Sequence, residues 1–195
     1  MQIVHEGFVM RRLCMFFLMI FIVSGCSPKE HYWNEDIQLQ SGQILSVKRA
    51  IAFKKYQPAG GGGGADILVS TLQFNESDVN SGMPKLWAHP PFLPMLVDQD
   101  PENHEWFIVA TLYMCTVWYE IDRPKLPYVE FRYRDGEWVK QKLSEKFVGR
   151  KGNMLVPGEK DVNSDHTLES KRHLMDSPGI DKQYQYIVSN WETNC

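Results

Sequence analysis

The sixteen residues YVEFRYRDGEWVKQKL, Tyr128 to Leu143, decide the fold class of this chain. Val129, Phe131 and Tyr133 alternate with Glu130, Arg132 and Arg134. That period of two places apolar and polar side chains on opposite faces of a β-strand. Arg134-Asp135-Gly136 turns the chain, and Trp138 to Leu143 returns as the second strand of a hairpin. An odd-membered loop sets Phe131 opposite Val139 and Glu130 opposite Lys140, with Arg132 across from Trp138. Opposite charges and a cation–aromatic contact then share the solvated face.

The same pattern extends through most of the chain. Ile37 and Leu39 form one apolar face that Leu45, Val47 and Ile51 continue. A two-residue turn would leave Leu45 and Val47 out of phase, whereas a three-residue loop ending at Gly42 sets Ile37 opposite Leu45. Ile67 to Phe74 reads as another strand. Trp106 to Cys115 is apolar or small everywhere except Thr111, which predicts a central strand covered on both faces. Met95-Leu96-Val97 is expected to pair with the start of that strand across the loop Asp98 to His104, and Trp118–Ile121 and Gln183–Trp191 are further strand candidates. One helix is expected over Asp165 to Met175, capped by Ser164 and ended by Ser177-Pro178-Gly179. The predicted fold is mainly β: an antiparallel sandwich or open barrel with one short C-terminal helix.

The N-terminus has a different composition. Arg11-Arg12 precedes eleven apolar residues, Leu13 to Val23. As a helix these rise about 16 Å, where a bilayer core requires roughly 20 residues. The segment reads as the signal helix of an exported protein, whether translation starts at Met1 or at Met10. It ends in Val23-Ser24-Gly25-Cys26, which resembles the lipobox of bacterial lipoproteins. The resemblance implies cleavage between Gly25 and Cys26, with a diacylglyceryl thioether on Cys26. Two or more acyl chains give stable membrane anchoring. Ser27 stands where an Asp retains such proteins in the inner membrane, so the resemblance implies an outer-membrane address facing the periplasm. The Gly-turned hairpins and Asp135-Gly136-Glu137-Trp138 are similar to small uncharacterised lipoproteins of Gram-negative bacteria. The chain divides into a signal peptide (1–25), a lipidated tether (26–36) and a single β-rich domain (37–195).

Removing the leader and the anchor leaves Cys115 and Cys195. An exported compartment is oxidising, and a bond between them would close a loop of about 80 residues, contributing on the order of 4 kcal/mol. A buried free Cys115 and a loose terminal thiol are the competing readings. With 21 basic against 24 acidic residues the net charge is −3, which argues against a nucleic-acid partner and supplies no polybasic patch for anionic lipid.

Sequence signals for chemistry are weak. Gly60 to Gly64 lacks the following Lys-Ser/Thr of a phosphate loop and reads as a connection between strands. Asp98-x-Asp100-x-Glu102 has the alternating oxygens of a calcium loop, but Asn103 and Val109 hold the places of its Gly and Glu, which leaves a surface turn. His31, His89, His104, His166 and His173 lack zinc-ligand spacing, and His166 and His173, seven apart on the expected helix, read as surface side chains. No catalytic constellation, metal site or cofactor is expected beyond the covalent lipid on Cys26. Trp87 to Pro94 carries three prolines among aromatics. It reads as a stiff cover over a sheet edge or as a partner surface starting from Trp87, His89 and Phe92. The function expected is that of a membrane-anchored, non-enzymatic binding or structural accessory with an envelope-protein partner. The alternatives are an immunity or inhibitor lipoprotein and an enzyme acting on envelope material.

Overall fold

Alternating side chains fold the chain into two four-stranded antiparallel sheets, each with its strands in chain order. The computed structural model describes residues 28, 30–56, 64–75, 82–112, 115–156, 164–176 and 181–191. The first sheet comprises β1 (Glu30–Gln38), β2 (Ile44–Tyr56), β3 (Gly64–Phe74) and β4 (Leu86–Ala88). The second comprises β5 (Phe92–Gln99), β6 (Trp106–Leu112), β7 (Tyr128–Arg134) and β8 (Glu137–Lys142). Neither sheet closes on itself, so the architecture is a sandwich and not a barrel. Ile37, Leu45, Val47, Leu72 and Phe74 of the first sheet pack in one buried cluster with Val97, Ile108, Ala110 and Phe131 of the second. Their removal from water, at roughly 25 cal/mol per Å², is the main force holding the sheets together.

Several expectations hold. Ile37 pairs with Leu45 around a three-residue loop, and every residue of β6 is buried between β5 and β7. Val97 pairs with Ile108 and Gln99 with Trp106, as the Asp98–His104 loop suggested. β2 and β3 flank the glycine run, most of which lies outside the described residues.

Others need correction. The β7–β8 register is one residue away from the expected one: Phe131 faces Lys140, Arg132 faces Val139, and Tyr133 faces Trp138. Asp135 (φ 51°) and Gly136 (φ 87°) both take left-handed backbone, which makes a two-residue turn whose twist matches the strands. Residues 30–36 are not tether: they form most of β1, with Trp33 and Glu35 buried. Trp118–Ile121 is not a strand, because α1 (Cys115–Glu120) occupies that region and β6 stops at Leu112. Gln183–Trp191 holds part of a 3-10 turn (Lys182–Tyr184) and a single bridge between Tyr186 and Lys151. The C-terminal helix α2 runs Leu168–Met175, and its cap is Thr167, not Ser164; the Thr167 side chain accepts from the Ser170 N–H at 3.2 Å.

The opposite face of the second sheet is buried as well. Leu96, Phe107 and Val109 lie under Phe147, Val156 and Ile187. Main-chain bonds hold this cover in place: Gly149 N–H to Ile187 O (2.7 Å), Gly152 N–H to Gln185 O (2.8 Å) and Met154 N–H to Met95 O (3.0 Å). A Cβ on Gly152 would stand 2.6 Å from the Met95 carbonyl oxygen, a backbone atom that cannot swing aside. Gly152→Ala is therefore expected to cost about 1–3 kcal/mol as an overpacked contact. A urea midpoint equal to wild type would show that the cover is not packed this closely.

Candidate functional site

Gly25, Cys26 and Cys195 lie outside the described residues, and with them the signal helix and the expected lipid site. Cys115 starts α1, is exposed and is disulfide-bonded, which removes the buried free thiol from consideration. Trp87 is fully buried and Phe92 nearly so. Both meet Phe131 edge-on, at 5.4 and 5.8 Å between ring centroids, and the half-buried His89 ring lies 4.6 Å from Phe131. Trp87, His89 and Phe92 thus do not make a partner surface. They cover the core where the chain passes from the first sheet to the second, because rings of that area gain more from burial than from display. Burial, helped by the Lys140 charge, holds His89 below the usual imidazole range.

Two buried charge networks had no sequence signal. In the first, Glu35 of β1 and Arg49 of β2 share the inner face of the first sheet. Arg49 Nη1 donates to Glu35 Oε2 at 2.7 Å and also to the Leu155 carbonyl, while the Leu155 N–H donates to Glu35 Oε1 at 2.7 Å. Lys171 of α2 donates to Glu35 Oε1 at 3.1 Å and to the carbonyls of Asp36 and Asn153. Burial alone would push the Glu35 carboxyl up, but Arg49 and Lys171 outweigh it and hold the group below its ordinary value. His166 is buried beside this clamp, its backbone bonded to Asn34 and Asp36, and is not the surface histidine expected.

The second network is built on Arg132. Its guanidinium donates to Asp100 (2.8 Å), Glu105 (3.2 Å) and Glu130. Lys146 reaches Asp100 at 2.7 Å and Arg150 reaches Asp98 at 2.9 Å. Hydrogen bonds from Lys146 and Arg132 hold the Asp100 carboxyl far below the usual carboxylate range. The Asp98-x-Asp100 pair is thus committed to cations and is buried, where a surface turn was expected. Among the described residues no group of three His, Cys, Asp or Glu side chains could hold a metal ion.

An open groove of about 770 Å³ lies beside β8. Ile121, Leu126, Val129, Leu143 and Val148 supply apolar lining from the loop after α1, from β7 and from the chain following β8. Lys125, Lys140 and Lys142 also line it, with Glu145 as the one carboxylate among the described residues. All three lysines are exposed and none is in an ion pair among the described residues, although Lys140 lies 5.5 Å from the Phe92 ring centroid. No family model, no curated protein and no solved structure matches the chain. The groove must therefore be read from its own chemistry. An apolar lining with cations and almost no anions suits ligand capture, and its volume falls within the roughly 300–1,000 Å³ of small-molecule sites. Sequence reasoning missed it because Lys125 and Lys140–Lys142 meet only through the turn between α1 and β7. The one local signal was Lys140 and Lys142 two apart on a strand, hence on one face.

Proposed function

We propose that the chain is a lipid-anchored accessory protein of the bacterial envelope, at the outer membrane facing the periplasm, whose sandwich binds a ligand or another envelope protein and performs no reaction. The observation that carries the binding half is the open groove, whose lining among the described residues contains one carboxylate and no histidine. Glu35 and Asp100, buried carboxylates that an enzyme could tune toward neutral pH, are instead pulled down by neighbouring cations. Support for the anchor half comes from Arg11-Arg12, the apolar run and Val23-Ser24-Gly25-Cys26. The proposal includes a Cys115–Cys195 bond, since Cys14 is removed with the leader and Cys26 carries lipid.

Intact-mass spectrometry of the membrane fraction tests the anchor. Wild type is expected to start at residue 26 with added acyl mass, and to leave the membrane only in detergent. Cys26→Ser is expected to lose the acyl mass and become soluble. Reduction should add the mass of two hydrogens to either chain. An unlipidated wild-type chain, free in the periplasm, would overturn the anchor. A pull-down from detergent-solubilised envelope that retrieves no partner and no small molecule would count against the binding half.

A further inference from the structure

We infer that the groove beside β8 holds a free long-chain fatty acid, with its carboxylate among Lys125, Lys140 and Lys142 and its alkyl chain over Ile121, Leu126, Leu143 and Val148. This deepens the binding half of the reading above and does not depend on the anchor. Three observations lead to this occupant. The described lining combines apolar side chains with three lysines and one carboxylate, which suits an amphiphile whose polar end is negative. This excess of positive charge stands on a protein whose net charge is −3, and none of the three lysines is in an ion pair among the described residues. Finally, the cations of the described lining are all lysines. A lysine is a mobile point charge suited to one small anionic head, whereas arginine's planar fork, suited to bidentate recognition, is not among the described lining residues.

Size separates this ligand from a macromolecule. A folded partner needs a face of roughly 800 Å² on each side, and the groove is a concave site of small-molecule volume.

The test uses the whole chain carrying Cys26→Ser, so that no acyl group of its own can fill the groove. Palmitate, kept below its aggregation concentration, is titrated calorimetrically, and hexadecyltrimethylammonium serves as a probe with the same chain and the opposite charge. One palmitate per chain is expected, with the cationic probe much weaker. The exposed-site variant Lys125→Gln/Lys140→Gln/Lys142→Gln should bind palmitate at least roughly tenfold more weakly, the usual loss when charge-assisted hydrogen bonds are removed. Wild-type affinity should fall as salt rises, whereas that of the variant should barely respond. No saturable palmitate binding, equal affinity for both probes, or an unaltered lysine variant would each overturn the inference. So would a lysophospholipid that binds far more tightly than palmitate. None of these outcomes bears on whether Cys26 is lipidated, which the mass measurement reads separately.

Discussion

Glu35→Ala should remove a large part of the stability of the domain, about 3–5 kcal/mol out of the 5–15 kcal/mol typical of a folded chain. Glu35 is fully buried and accepts from Arg49, Lys171 and the Leu155 N–H. Truncation leaves an arginine and a lysine facing each other inside the sandwich, both nearly without solvent. It also leaves the Leu155 N–H without its acceptor. The loss would come from stranded charge more than from the attraction itself, because bringing the ions out of water offsets much of what they gain by pairing. Two comparisons check that account. Lys171→Met should cost less, since Glu35 keeps Arg49. The triple variant Glu35→Leu/Arg49→Met/Lys171→Met, which replaces every charge of the clamp by hydrocarbon, should recover part of the loss. Urea unfolding followed by tryptophan fluorescence reads all three, and a Glu35→Ala midpoint close to wild type would contradict the clamp.

Arg132→Met is the second large effect. Arg132 gathers Asp100, Glu105 and Glu130, of which Asp100 and Glu130 are buried on the covered face of β7 and its surroundings. Without the guanidinium, Asp100 keeps Lys146, but Glu130 retains only Gln141 and the Ser144 N–H. The expected loss is about 3 kcal/mol or more, again because a charge is left buried and unpaired. The pH dependence should change with it. In the wild type, Asp100, Glu105 and Glu35 all have carboxyls held below their ordinary values. The unfolded chain therefore binds protons more readily than the folded one. Stability is complete above the ordinary carboxylate range near pH ~4 and is lost as pH falls toward the depressed folded values. In Arg132→Met that acid slope should flatten, because the carboxyls it holds down would move back up. A variant with wild-type acid unfolding would show that Arg132 does not set the slope.

These same charges explain what the sequence could and could not reveal. Apolar phase alone identified the Ile37–Leu45 register and the central place of β6, because in both the buried side chains are hydrocarbon. The β7–β8 register departs from the expected one because Glu130 and Arg132, whose charges suggest a solvated face, are buried, with Arg132 against Phe147. Residues 30–36 read as tether for a similar reason: Glu35 interrupts an inner-face alternation that otherwise runs from Trp33 to Ile37. An ion pair inside a protein has the same letters as one in water. The groove escaped notice because it is made by the meeting of three separate segments. Trp118 to Ile121, four residues of mixed apolar character, could not distinguish a short helix from a strand.

The start of β1 at Glu30 also sets how far the domain can travel. With the anchor we propose at Cys26, only Ser27, Pro28 and Lys29 separate the lipid from the first strand residue. Even drawn straight, the path from Cys26 to Glu30 spans about 14 Å. On so short a leash the sandwich cannot reach across the periplasm. It would rest against its own bilayer with the Glu30–Ala52 end of β1 and β2 nearest the lipid, and whatever it meets must come to that surface.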